Sequence, residues 1–339
     1  RALHLVIHPQ LIVRRDLMGA LQEVVSVDDE EADVPEGAVV ESWMHVEIDR
    51  ETDEDDLRSI ERELDSVLRD VREAVEDWPR MLARAGEVAD ELSARPPATV
   101  DPADTSESVD LLRWLADEHF TFLGYREYVL SADGEQLEPV PGTGLGIMRA
   151  DRPASKAFAK LSSEVRARAR EPKVLVLTKA NSRSTVHRST YLDYVGVKVF
   201  DEAGKVVGER RFLGLFTSTA YVQSVLTIPV LRRTVEQVLE RSGFRTDGHS
   251  YKDLLQVLET YPRDELFQTD VEELTDTVLS VLNMQERRQT RLFMRRDRYG
   301  RFVSCLVYLP RDRYTTAVRL RIADVLKEEF GTDQIDYTA

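Results

Sequence analysis

Apolar residues alternate or run together over 3–13 and 39–49, the pattern of strands packed on at least one face. Between them residues 28–37 read as an acidic loop. Leu57, Ile60, Leu64, Val67, Leu68, Val71 and Val75 then recur at steps of three and four, predicting an amphipathic helix. Asp53, Glu54, Asp55 and Asp56 place negative charge at its positive N-terminal end. Residues 93–108 (SARPPATVDPADTSES) are rich in Pro, Ser and Asp and mark the clearest domain boundary, with a linker at 93–105.

Beyond it the pattern predicts a helix over 109–118, an aromatic strand over 119–130, a Gly/Pro loop at 139–146 and a helix over 155–170. Strands follow at 173–178, 184–200 and 205–217, the last two joined by a tight turn at Asp201-Glu202-Ala203-Gly204. A mostly antiparallel sheet is the expected middle domain. From Tyr221 the chain reads as helical over 221–241, 250–261 and 270–286. Ser250 with Asp253, and Thr269 with Glu272, have the spacing of capping boxes. Strands at 290–297 and 301–309 form a hairpin, and a helix over 315–330 should end at Gly331. Ile335 and Tyr337 would open one last strand.

A short repeat runs through this pattern. Arg14-Arg15-Asp16-Leu17-Met18-Gly19 and Arg295-Arg296-Asp297-Arg298-Tyr299-Gly300 are both R-R-D-x-x-G. Each lies between two strands, and each second strand is expected to lead into a long helix. That unit is three-quarters of a βαββαβ ferredoxin-like fold. The first copy lacks its opening strand and helix, and the chain starts at Arg1 in what already reads as a strand, so a segment of a longer polypeptide is expected.

Composition narrows the function. The 339 residues suit two or three domains, and no apolar run approaches the roughly 18 residues of a membrane span. Cys305 is the only cysteine, which excludes a disulfide framework and a thiolate metal cluster and fits a reducing compartment. The net charge of −16 is carried by residues 28–77, where 21 acids face five arginines. Arg287, Arg288, Arg291, Arg295, Arg296, Arg298 and Arg301 form one basic stretch, broken by Asp297. It reads as a solvated or subunit-facing hairpin; the global field repels nucleic acid, so none is expected as a partner.

No catalytic constellation emerges. Gly142-Thr143-Gly144-Leu145-Gly146 has the wrong spacing for a dinucleotide loop and no Walker lysine follows, so a structural turn is expected. His4, His8 and His45 could share a sheet, but no acid or cysteine pattern completes a metal site. Cys305 sits in an apolar strand, and Asp193, Glu209, Lys179 and Lys198 read as unremarkable, solvated strand residues. Binding or assembly is what remains. Arg14, Arg15, Asp16 and Gly19, with Arg295, Arg296, Asp297 and Gly300, offer the donors and acceptor an amino-acid effector needs. The plainer reading of both turns is a hairpin whose arginines pair with the acidic helix at 56–77.

The segments HPQLIVRRDLMG, LLRWLADEHFTFLGYREYVL, GTGLGIMR, VHRSTYLDYVGVKVF, GERRFLGLFTSTAY, IPVLRRTVEQVLERSGFRTDGHSYKDLLQVLETYPRDELFQ and RLFMRRDRYGRFVSCLVYLPRDRYTTAVRLRIADVLKEEFG are similar to the N-terminal region of large-type bacterial NAD-specific glutamate dehydrogenases. The resemblance implies an α+β multidomain chain in which ferredoxin-like ACT-type modules flank a PAS-like antiparallel-sheet domain, with helical connections. Mapped here, residues 1–92 would be a partial ACT-like module with its long acidic helix, 93–105 a linker, 106–220 the PAS-like domain, 221–269 a helical connector and 270–339 a second ACT-like module.

It further implies a cytoplasmic homotetramer that oxidatively deaminates L-glutamate with NAD. The catalytic domain of such enzymes lies far C-terminal, and none of its lysine, aspartate or dinucleotide-loop motifs has a counterpart in these residues. The segment is therefore expected to hold no cofactor or metal and to be inactive alone. Its partners would be its own catalytic domain, neighbouring subunits and an amino-acid effector. Two readings stand open, an effector-sensing region and a pure assembly scaffold. A self-contained enzyme would require NAD turnover by this chain.

Overall fold

The computed structural model describes residues 2–25, 34–131, 136–150, 170–284 and 289–337. The chain is a mixture of helices and antiparallel strands in two compact units, Arg1–Ser66 and Val67–Ala339.

The first unit holds β1 (Leu3–Ile7), β2 (Gln10–Arg15), β3 (Leu21–Val25), β4 (Val39–Ser42) and β5 (His45–Ile48). β1 pairs with β5, and β2 lies between β3 and β4, all antiparallel. The pairs Val6↔Val46, Ile7↔His45, Gln10↔Ser42 and Val13↔Val39 fall on one continuous register. The expected strands 3–13 and 39–49 are thus one long ladder cut in two. Pro9 makes the cut: it has no N–H to give, while its carbonyl still accepts the Trp43 N–H at 3.0 Å. β3 is an addition to the expected pattern, so in this copy of the repeat a third strand, not the second, leads into the helix. Val13 is fully buried, whereas Leu3, Ile7, Val40 and Met44 stay about half exposed.

α1 (Glu54–Ala94) is far longer than the predicted stripe and continues through Pro79. Its buried face is Ala74, Asp77, Met81, Ala85, Val88 and Leu92, while Leu57, Leu64, Val75 and Trp78 remain exposed. Periodicity located a helix, but packing partners chose which stripe is covered.

The second unit is built on a sheet of order β7-β6-β11-β10-β9, with β8 also paired to β6. Its strands are β6 (Phe120–Leu130), β7 (Leu137–Pro139), β8 (Leu145–Gly146), β9 (Leu175–Arg183), β10 (Tyr191–Phe200) and β11 (Val206–Phe216). Side chains alternate between two faces. Val195, Val197, Phe212 and Phe216 join the main core, whereas Leu192, Tyr194, Leu213 and Leu215 form a smaller cluster on the other face. The main core is closed by the later turns of α1, by α2 (Pro102–Trp114), and by α3 (Ser218–Val222), α4 (Leu231–Ser242), α5 (His249–Thr260), α6 (Arg263–Gln268) and α7 (Val271–Leu282). Fully buried leucines such as Leu111, Leu231 and Leu254 each contribute about 2 kcal/mol from removed apolar surface.

Several expectations change here. The stretch at 93–105 is internal to the second unit: Val100 is buried, Thr99 Oγ1 donates to the Gly204 carbonyl at 2.7 Å, and Asp101 caps α2 by accepting the Ala103 N–H at 2.8 Å. The predicted strand at 184–200 begins only at Tyr191, because Ser184 N–H bonds the Thr190 carbonyl and His187 takes a φ of +65°. The helix predicted over 221–241 starts at Leu231: Pro229 precedes Val230, whose φ is +69° and whose N–H goes to Glu107 at 2.7 Å. Neither capping box forms. Gly248 and Asp270 occupy the cap positions without a side-chain bond, and Thr269 instead donates to the Glu265 carbonyl at the end of α6.

The chain closes with the hairpin β12 (Arg291–Arg296) and β13 (Val303–Tyr308) and with α8 (Thr316–Phe330). Thr315 caps α8 and Gly331, at a φ of +60°, ends it. Residues 334–337 form no strand. The predicted helix at 155–170, save its last residue, most of the acidic loop, and Arg287 and Arg288 lie outside the described residues.

Candidate functional site

The repeated turn has one construction. In the first copy the Asp16 carboxylate accepts the N–H groups of Met18 and Ala20 at 2.9 and 2.8 Å, and Gly19 takes a φ of +81°. In the second, Asp297 accepts those of Tyr299 and Arg301 at 3.0 and 3.1 Å, with Gly300 at +67°. Asp201 and Gly204 build a third such turn between β10 and β11, without the arginines. The D-x-x-G part of the repeat is therefore a hairpin device: the aspartate satisfies loop donors and the glycine supplies the left-handed residue.

The arginines differ between copies. Arg14 pairs with Glu23 at 3.1 Å across the β2–β3 ladder. Arg15 forks onto Glu41 at 2.5 and 2.7 Å and donates to the Gly19 carbonyl at 2.7 Å. The Arg15 hydrogen bond holds the Glu41 carboxyl down at about 2. These partners lie on neighbouring strands, not on the acidic helix at 56–77: Arg14 meets the residue opposite it in the ladder, and Arg15 reaches along β4 to Glu41, which pairs with Leu11. Leu17 and Met18 at the tip are fully exposed.

The second copy is docked. Arg295 is buried and forks onto Glu265 of α6 at 2.8 and 2.9 Å. Asp297 is buried and its other oxygen accepts the Thr178 hydroxyl at 3.0 Å. Arg301 donates to the Lys179 carbonyl at 3.1 Å, and Arg298 pairs with Asp270. Arg296 remains exposed. The turn is thus clamped onto β9 and α6.

Where it lands, five side chains alternate aromatic and cationic. Arg211 lies over the rings of Tyr128 and Tyr194 at 4.0 and 4.8 Å, and Arg301 over those of Tyr194 and Tyr299 at 4.9 and 5.4 Å. Glu209 accepts from Arg211 at 3.0 Å and from the Tyr194 hydroxyl. Gly196 sits opposite Arg211 in the ladder, and a Cβ there would meet Tyr194 and Glu209 at 2.9 and 3.0 Å. Lys198, beside them, donates to the Glu171 carbonyl at 2.8 Å, and burial pulls it down to about 8.

On the opposite face Lys179 joins Asp193 at 2.5 Å and Asp264 at 3.0 Å. Asp193 also accepts the Phe216 N–H at 3.1 Å. Burial of a site with two carboxylates and one ammonium pushes Asp193 up to about 6. Lys179 is raised despite burial, because both carboxylates face it. Asp193, Glu209 and Lys198, expected as solvated, are all buried. Their strand alternation looked ordinary; only the packing of both sheet faces reveals them.

The glycine-rich loop is closed to a dinucleotide. A Cβ on Gly144 would lie 2.2 Å from the Met148 carbonyl, and one on Gly146 2.1 Å from the Leu123 carbonyl. The Gly146 N–H, which a phosphate would need, goes to Asp77 at 2.8 Å. Although burial opposes it, this bond, with Arg149 and Arg80 nearby, lowers the Asp77 carboxyl. His4, His8 and His45 bond separately to Asp49, Ser42 and Glu47. Among the described residues no three metal-ligating side chains converge, and no helix is long and apolar enough to cross a membrane.

Small sheet-and-helix modules at each end of the chain, tied by helices, define a protein of ACT-type modules. Family models agree: the ACT1 domain of glutamate dehydrogenase matches residues 1–64, helical motif 1 matches 228–287, and the ACT2 domain matches 291–339. The chain corresponds to the N-terminal ACT1, helical motif 1 and ACT2 region of NAD-specific glutamate dehydrogenase homologues. It is 43% identical over 338 residues to the NAD-specific glutamate dehydrogenase of Halomonas elongata, covering 98% of this chain and 21% of that protein. Identity to those of Pseudomonas aeruginosa and Mycobacterium tuberculosis is 41% and 36%, covering 96% and 88% of this chain. The chain spans about a fifth of the length of these relatives.

Proposed function

We propose that these residues are the regulatory and assembly portion of an NAD-dependent glutamate dehydrogenase, a cytoplasmic homotetramer that converts L-glutamate, NAD and water to 2-oxoglutarate, ammonium and NADH. The portion itself performs no chemistry; NAD belongs to a catalytic domain elsewhere in the polypeptide, and the closed glycine loop supports that division. Residues 106–220 act as a PAS-like domain between the modules. The two R-R-D-x-x-G turns divide the work. The second, through Arg295, Asp297 and Gly300, is a clamp. The first, through Arg14, Arg15, Asp16 and Gly19, is the amino-acid effector contact, since an effector carboxylate can compete with Glu41 for an exposed Arg15.

One observation carries the reading: the same turn is buried in a hydrogen-bonded socket in one module and stands free at its tip in the other. An effector that binds one arrangement better shifts the population of competent enzyme. Thermal shift with a panel of amino acids tests it, a rise for one amino acid being expected by mass action and its loss expected in Arg15→Ala. A flat panel with a stable oligomer in sedimentation leaves the scaffold reading, and NAD turnover by this chain alone removes both.

A further inference from the structure

The Tyr–Arg ladder carries more positive charge than it can neutralise. Glu209 serves Arg211, while the Arg301 guanidinium meets no carboxylate among the described residues: it donates to the Lys179 carbonyl, only the Arg301 main-chain N–H goes to Asp297, and rings flank its planes. A guanidinium has five N–H donors, so most of those on Arg301 are unspent. Beside it opens a cavity of about 40 Å³ lined by Tyr194, Val206, Glu209, Arg211, Tyr299 and Arg301. That is room for about three waters, the size of a carboxylate and one attached carbon.

We propose that this cavity is a binding site for the carboxylate group of a small metabolite, held by the free edge of Arg301. A planar fork matches a planar carboxylate in two parallel hydrogen bonds, and the low dielectric between rings strengthens them. Tyr299 and Arg301 come from the docked turn, and Tyr194 and Arg211 from the sheet, so a bound carboxylate ties the hairpin to the sheet. The site is distinct from the first turn and from the effector contact proposed there.

Calorimetric titration of the whole 339-residue chain with sodium acetate, against sodium chloride and sodium phosphate at matched ionic strength, tests this. Saturable acetate binding is expected, with half-saturation below about 10 mM for so small a ligand and none with chloride. Arg301→Gln should weaken it at least tenfold, Arg301→Lys less, and Val206→Phe should abolish it by filling the cavity without altering a charge. The proposal is overturned if the unmodified chain shows no saturable acetate signal, if binding survives both Arg301→Gln and Val206→Phe, or if phosphate binds more tightly than acetate. The unmodified chain is the first readout, so a variant that fails to fold cannot mask the answer. Acetate binding without any amino-acid thermal shift retains this site while removing the effector reading; the converse result removes only the site.

Discussion

The Asp297 carboxylate and the Thr178 hydroxyl meet at 3.0 Å in a buried contact between residues 119 apart in sequence. One oxygen of Asp297 takes Thr178 while the other takes two N–H groups of its own turn. A turn-forming residue has thereby become a docking residue. Its counterpart Asp16 makes the same local bonds with no partner beyond its turn among the described residues.

That difference predicts unequal costs. Asp297→Ala leaves buried donors unsatisfied and should destabilise the second unit by about 2–4 kcal/mol, whereas Asp16→Ala should cost about 1 kcal/mol. Thr178→Val, which removes only the cross-chain bond, should cost about 1–2 kcal/mol. Urea unfolding followed at Trp114 for the second unit and Trp43 for the first separates them. Equal losses for the two aspartates would contradict the socket.

Arg295 and Glu265 are both buried, so removing one partner strands the other. Arg295→Met should cost about 3–5 kcal/mol, while the double variant Arg295→Met with Glu265→Leu should recover most of it. The coupling, read from a double-mutant cycle in chemical denaturation, is the checkable quantity.

The Asp193 carboxyl, pushed up mainly by burial to about 6, gives a pH signature. In the unfolded chain the same group titrates near about 3.9. Between these values the native state holds the proton more tightly, so this group's contribution makes stability fall as pH rises from about 4 to about 6, and then level off. Two pKa units correspond to about 3 kcal/mol. Asp193→Asn should flatten that segment, seen as a sloping difference between the two unfolding free energies across pH 4–7.5. A difference independent of pH would place the Asp193 carboxyl in its ordinary range.

Two glycines should respond in opposite directions to alanine. Gly146, at a φ of +58° and with no room for a Cβ, should lose more than 2 kcal/mol. Gly86, inside α1 with nothing near its Cβ position, should gain up to about 1 kcal/mol. Thermal midpoints of the two variants decide this.

What could be read from the residues in order was whatever local rules govern. The hairpin at 201–204, the turns at 16–19 and 297–300, the β12–β13 hairpin and the end of α8 at Gly331 depend on one aspartate or one left-handed glycine each. Pattern also gave the antiparallel middle sheet and the existence of α1. It did not show that β3 follows the first turn, since Gln22 and Glu23 interrupt the apolar run there.

The amino-acid sequence by itself determined the modules and the turns, because alternation, helical period and the chemistry of Asp and Gly act over a few residues. Tertiary structure alone decided which turn is buried, which stripe of α1 is covered, and that Asp193, Lys198 and Glu209 are interior. Each of those depends on side chains brought in from other elements, as Thr178 is to Asp297 from 119 positions away, and desolvation is set by such arrivals rather than by immediate neighbours along the chain.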